Sequence, residues 1–192
     1  MDLGKLNPKT TAFILIDIQD KFIPTMNKIE DVIKNVNILV KASEILKIPL
    51  IVTEQYPKGL GNTIDEIKLP EYNKENLNNV TKIKKIHFSC FGCKEFTGKL
   101  EELKKKGITS LVLFGIEAHV CVLKTALDAL EKGFDVHVIA DAVTSRSKHN
   151  KRIANQRMMQ SGVFLSSTEI ILFQLIDEAK GDEFKAISGL VK

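Results

Sequence analysis

Four short apolar runs, each followed by a stretch with helical periodicity, constrain this chain more than any other feature. Thr11–Asp17 (TAFILID), Ile48–Thr53 (IPLIVT), Ser110–Phe114 (SLVLF) and Asp135–Ala140 (DVHVIA) show little polar alternation, as parallel strands covered on both faces should. Between the first two, Val32, Val36, Leu39, Val40 and Leu46 recur every three or four positions and predict a helix over Asp31–Leu46. That is one βαβ unit. Further along, Lys82–Ile86 is a short strand, Glu95–Lys106 a charged helix closed by Gly107, and about His119 to Lys132 a helix stopped at Gly133. Lys148–Gln160 is predicted helical, Val163–Leu165 extended and Thr168–Ala179 the last helix. Strands alternating with helices predict a doubly wound three-layer α/β sandwich with a parallel sheet of about six strands. Only Glu54 to Val80, rich in Gly, Pro and Asn, breaks the rhythm as a long irregular excursion, and such loops are often functional.

With 192 residues, 44% of them hydrophobic, one domain over residues 1–192 can bury a continuous core. Lys and Arg total 28 against 24 acidic residues, with no massed basic block, and Trp is absent, so no nucleic-acid partner is expected. The apolar runs are too short to cross a bilayer, so no membrane association is expected either. Cysteines at 90, 93 and 121 form an odd set without disulfide spacing, and the opening Met-Asp-Leu-Gly-Lys-Leu resembles neither an export nor an organelle signal. Cytoplasm is the default.

In open parallel sheets the ligand sits beyond the carboxyl ends of the strands. Asp17 follows the first strand there, Glu54 and Gln55 the second, Lys84 or Lys85 the third, and Glu117, His119 and Cys121 follow SLVLFG. Asp17 alone reads equally well as a turn or cap residue. Cys121 falls at the start of a predicted helix, where backbone N–H groups and the helix dipole favour a thiolate and an oxyanion. A buried cysteine is more often packing than nucleophile. A carboxylate and a lysine at the same sheet edge change that balance, because one can take the thiol proton and the other hold the thiolate.

Leu113-Phe-Gly-Ile-Glu-Ala-His-Val-Cys-Val122 closely resembles the nucleophile motif of isochorismatase-like and nicotinamidase-like cysteine hydrolases. Ile16-Asp-Ile-Gln-Asp-Lys-Phe22 resembles their aspartate motif and Lys85-Ile-His-Phe-Ser89 their lysine motif. Asp141-Ala-Val-Thr-Ser-Arg146 and the Arg157, Gly162, Thr168-Glu169 spacing fit as well, and Val52 to Gly61 is most similar to the isochorismatase-domain-containing branch. The resemblance implies hydrolysis of a C–N bond in a small amide through a thioester. It makes Asp17 the general base, Lys85 (Lys84 in reserve) the cation that lowers the thiol pKa, and Cys121 the attacking thiolate. It also implies a cis Ile116–Glu117 bond with the Glu117 and Cys121 N–H groups as oxyanion hole, and a homo-oligomer. Vinyl-ether hydrolysis and a non-catalytic metabolite-binding or interaction domain are the alternatives.

Phe22, Gln55, Tyr56, Phe88 and His119 are the expected pocket walls, although each also reads as core or as a structural hydrogen-bonder. The metal-binding relatives carry histidines in the excursion, whereas residues 54–80 here contain none. His87, His119, His137 and His149 show no pair at metal spacing, so neither metal nor cofactor is expected. Cys90-Phe-Gly-Cys93 has redox or zinc spacing without a second pair, and reads as packing or a pocket edge.

Overall fold

The computed structural model describes residues 3–70 and 80–192. Along the chain run β1 (Thr11–Ile16), α1 (Ile29–Ile45), β2 (Leu50–Gln55), the single turn α2 (Pro57–Leu60), β3 (Val80–Lys85), α3 (Lys94–Lys105), β4 (Ser110–Ile116) and α4 (Leu123–Glu131). β5 (Asp135–Thr144), α5 (Lys148–Gln160), β6 (Phe164–Ser166), α6 (Thr168–Gln174) and α7 (Gly181–Gly189) complete it. All strands pair in parallel in the order β3-β2-β1-β4-β5-β6. The helices cover both faces, so the expected doubly wound sandwich is the observed one.

Alternate residues of the central strands feed two separate cores. Phe13, Leu15, Leu50, Val52, Val112 and Phe114 face α1, α6 and α7. Ala12, Ile14, Ile16, Ile51, Leu111 and Leu113 face α3, α4 and α5. With an apolar layer due on each side, β1, β2 and β4 have no use for polar alternation, and all three are buried throughout.

The chain reverses winding direction between β1 and β4, so their carboxyl ends splay apart into the crevice where such folds place ligands. Ile16 pairs with Gly115 across that line. Gly115 has φ 116°, and a Cβ there would lie 2.1 Å from the Ile16 carbonyl oxygen, so only glycine lets the two backbones meet.

Two elements depart from expectation. β5 continues to Thr144, past an irregularity in its pairing with β4 between Leu113 and Gly115. The predicted last helix stops at Gln174, and Gly181 (φ 86°) turns the chain into α7, whose Ile187 is buried against the α1 face. The excursion holds α2, and Gln19 bridges to its Thr63; its residues 71–79 lie outside the described residues.

Candidate active site

At the carboxyl end of β1 the backbone turns through a left-handed residue, Asp17 (φ 54°), whose N–H still donates to the Thr53 carbonyl at 3.1 Å. This turn swings a fully buried carboxylate across the ends of β2 and β3. Lys85 Nζ donates to its Oδ2 at 2.6 Å and Thr53 Oγ1 to its Oδ1 at 2.7 Å. Both side chains of the ion pair have no exposure, so the charges survive only because each is met by the other and by further polar atoms. Lys85 Nζ also donates to Gln55 Oε1 at 2.8 Å and points at the carbonyls of His87 and Phe88 at 3.3 and 3.4 Å.

Strand parity chooses between the two lysines. Ile83 and Lys85 point inward and Lys84 points to solvent, so Lys85 reaches Asp17 and Lys84 does not.

Gln55 pairs with Lys85 in register and donates Nε2 to the Ile86 carbonyl at 2.7 Å. Gln19, two residues beyond Asp17, accepts from Gln55 N at 2.7 Å and donates to the Gln55 carbonyl at 2.9 Å and the Gly61 carbonyl at 2.7 Å. It clamps β2 and the excursion to the Asp17 turn. Gln19 and Thr53 were not among the expected site residues; the alternation Asp17, Gln19 at a strand end is the signal that pointed to the first.

On the other side of the crevice the Ile116–Glu117 peptide bond is cis. Ala118–Val122 form a wide π-helical turn that runs into α4, where the sequence pattern predicts an ordinary helix from His119. Cys121 sits on this turn, 4% exposed, with its thiol within electrostatic reach of Asp17 and Lys85. Burial, then the Asp17 charge, push the thiol well above its ordinary value, and Lys85 only partly offsets them. Enclosure beside a carboxylate thus works against the thiolate that the helix start favours. In Lys85 burial works against the ammonium, but Asp17 and then the two nearby thiols outweigh it and raise its pKa above 10.5.

The surrounding residues hold these groups in place. Glu117 Oε2 accepts from both Arg146 N and Arg146 Nε at 3.1 Å, and His119 Nδ1 lies 3.0 Å from Ser145 Oγ, tying the π turn to the end of β5. Ser89 Oγ donates to Asp128 Oδ2 at 2.5 Å and Cys90 N to Thr125 Oγ1 at 3.0 Å, tying the Lys85 loop to α4. Cys90 is a core residue whose thiol burial pushes up to about 12. Cys93 is half-buried, its thiol 3.6 Å from the Lys84 carbonyl. Among the described residues no cluster of His, Cys, Asp or Glu is placed to hold a metal ion.

Of the expected pocket walls, Gln55 is buried beneath Lys85 and orients it. Phe22 is half-buried against the α1 core, and His119 is half-buried on the π turn. Tyr56 and Phe88 are more than half exposed and, with Ile86, form an apolar rim; Lys124 Nζ stands 5.7 Å above the Phe88 ring. A cleft of about 570 Å³ opens along this rim at the outer edge of β3, lined by Tyr56, Lys84, Lys85 and Cys93 but not by Cys121. Glu54 faces the excursion, accepting from Thr63 N and Oγ1 at 2.8 and 2.9 Å, and takes no part in the site.

The isochorismatase-domain family model matches residues 11–170, which include Asp17, Lys85 and Cys121. The chain belongs to the isochorismatase family. Isochorismatase family protein 1A of Dictyostelium discoideum is 42% identical over 98% of this chain and 89% of its own length. Isochorismatase domain-containing protein 2 of Danio rerio is also 42% identical, over 98% of this chain and 90% of its own. Among solved structures, the MAR1 ribonuclease of Caenorhabditis elegans superposes with a TM-score of 0.86 at 36% identity, over 97% of this isochorismatase-family chain and 92% of its own. Among the described residues no helix is long and apolar enough to cross a membrane.

Proposed function

We propose that this isochorismatase-family chain hydrolyses the C–N bond of a small amide through a thioester on Cys121. The observation that carries the reading is the buried Asp17–Lys85 ion pair at 2.6 Å, set within electrostatic reach of the Cys121 thiol. A thiol whose pKa is raised needs a base in contact with it at the moment of attack, and Asp17 is that base. It takes the thiol proton as sulfur bonds to the carbonyl carbon. The resulting oxyanion is held by the N–H groups of Glu117 and Cys121, each such donor typically contributing about 2.7–4 kcal/mol. Collapse breaks the C–N bond as Asp17 returns its proton to the leaving amine. A water deprotonated by Asp17 then attacks the thioester, releasing the acid and regenerating the thiol. Lys85 stays protonated throughout and holds the carboxylate in place through its 2.6 Å hydrogen bond.

Intact-protein mass spectrometry during turnover of an amide panel, with ammonia release measured in parallel, tests this reading. The expected result is an acyl adduct on Cys121 that is lost in Cys121→Ala and in Asp17→Asn. Hydrolysis of a vinyl ether that survives Cys121→Ala, with no amide turned over, replaces it with vinyl-ether hydrolysis. Ligand-induced thermal stabilisation without turnover replaces it with metabolite binding. The ribonuclease name carried by a structural neighbour at 36% identity supplies a further reading, phosphodiester cleavage. RNA degraded by the wild-type chain and spared by Asp17→Asn would put that reading in place of the amide one.

A further inference from the structure

A groove of about 1080 Å³ lies between the start of α1 and the outer side of α5, and neither Asp17, Lys85 nor Cys121 lines it. Five cations do: Lys28 and Lys34 from the α1 side, Lys148, Lys151 and Arg152 from α5. Only two carboxylates accompany them, Asp31 and Asp141, so most of the chain's net charge of +4 is concentrated here. None of the five groove cations forms an ion pair among the described residues.

Asp141 is anchored from outside the groove, and its charge offsets only part of theirs. Its Oδ1 is committed to Thr168, accepting from N at 2.8 Å and from Oγ1 at 2.9 Å, and its backbone carbonyl accepts from Asn35 Nδ2 at 2.8 Å. The lysines also crowd one another. Burial lowers the Lys151 pKa; Asp141 pulls it up, and Lys28 lowers it further. Beside Lys151, Asn155 Oδ1 is buried with no hydrogen-bond partner, an acceptor that a ligand hydroxyl rather than an anionic oxygen would meet. Unpaired cations converging on a concave surface focus the field there and raise the local concentration of anions.

We propose that this groove binds a small phosphorylated metabolite, its phosphate held by Lys151 and Arg152, with Lys28 and Lys148 as flanking charges. Phosphate suits the site better than a single carboxylate because its three oxygens accept from an Arg fork and separate ammonium groups together. The groove's lining contains no Phe, Tyr or Trp and His149 is its one aromatic ring, short of the series of stacking platforms that a nucleic-acid strand uses. The inference does not depend on the thioester reading.

Calorimetric titration of the full chain with inorganic pyrophosphate, ribose 5-phosphate and a short oligoribonucleotide tests it. The two small phosphates are expected to bind saturably at one site per chain, weakened at least about tenfold in Lys151→Gln/Arg152→Gln. Binding should survive the charge-conserving Lys151→Arg/Arg152→Lys and the control Lys105→Gln/Lys132→Gln, which removes the same charge from the α3 and α4 surface. Absence of saturable heat with both small phosphates would overturn the proposal. So would binding of the oligoribonucleotide alone, or equal weakening in the control pair.

Discussion

Lys85 and Lys151 are both drawn away from water, and their pKa values move in opposite directions. Lys85, fully buried at the end of β3, is raised because a carboxylate lies 2.6 Å away and outweighs burial. Lys151, half-buried on α5, is lowered because burial acts with Lys28 against a more weakly opposing Asp141. Burial is common to both regions; the difference is whether the partner was built in. A charge enclosed with its partner can organise chemistry, and a charge left without one is open to a ligand. The comparison makes measurable claims about each region.

The largest effect is expected at Lys85. Lys85→Met leaves the Asp17 carboxylate buried without its cation, and breaking a buried pair from one side costs about 3–5 kcal/mol. Urea unfolding at neutral pH measures this, and activity should disappear in the same variant. Lys84→Met, one residue away on the solvent side of the same strand, should stay within about 0.5 kcal/mol of the parent. Similar losses in both would erase the distinction between paired and unpaired lysines.

Alkaline titration sharpens the same point with a smaller effect. The folded pKa of Lys85 lies above 10.5, so the stability it contributes is fully present below that pH. It is lost as pH rises through the folded value. The stability difference between the parent and Lys85→Met, followed by urea unfolding, should therefore be constant at neutral pH and shrink only above about 10.5. A difference that shrinks near pH 8 would mean that Asp17 does not hold the ammonium.

Cysteine chemistry reads the Asp17 side of the pair. Brief acrylamide treatment at neutral pH should modify the half-buried Cys93 and, with Asp17 as proton acceptor, Cys121, leaving the fully buried Cys90 for last. In Asp17→Asn the label on Cys121 should fall by about 10²-fold, the low end of the contribution of a positioned base, and that on Cys93 should not change. Peptide mapping decides. Equal labelling of Cys121 in both proteins would remove Asp17 from the proton path.

How much of this was legible beforehand follows from the physics of each part. β1, β2 and β4 are covered on both faces and so appear as unbroken apolar runs, which is why the layer architecture was readable. β3 is an edge strand, and VTKIKK admits either lysine until the inward face is known. The predicted last helix, Thr168–Ala179, overran α6 because the apolar rhythm continues past Gln174, and α7 beyond Gly181 was not predicted. Asp17, Lys85 and Cys121 were named from local motifs, and the structure brings them together. The upward push on the Cys121 thiol was not legible, because enclosure causes it and no local pattern reports enclosure. Thr53 and Gln19 were missed for a related reason: each orients a partner more than thirty positions away.

The smallest effect, and the one whose sign matters most, is expected in the groove. Because the folded pKa of Lys151 is lowered, its charge costs the fold some stability at neutral pH, and that cost is relieved only as alkaline conditions remove the proton. Lys151→Gln should therefore leave the chain as stable as the parent or slightly more so, by up to about 0.5 kcal/mol at low salt, with the gain fading as added salt screens Lys28. Urea unfolding at two ionic strengths reads this directly. If Lys151→Gln instead destabilises the chain by about 1 kcal/mol or more, Lys151 is already held by a structural partner. The groove would then belong with Lys85 as a satisfied site, and the contrast between the two regions would fail.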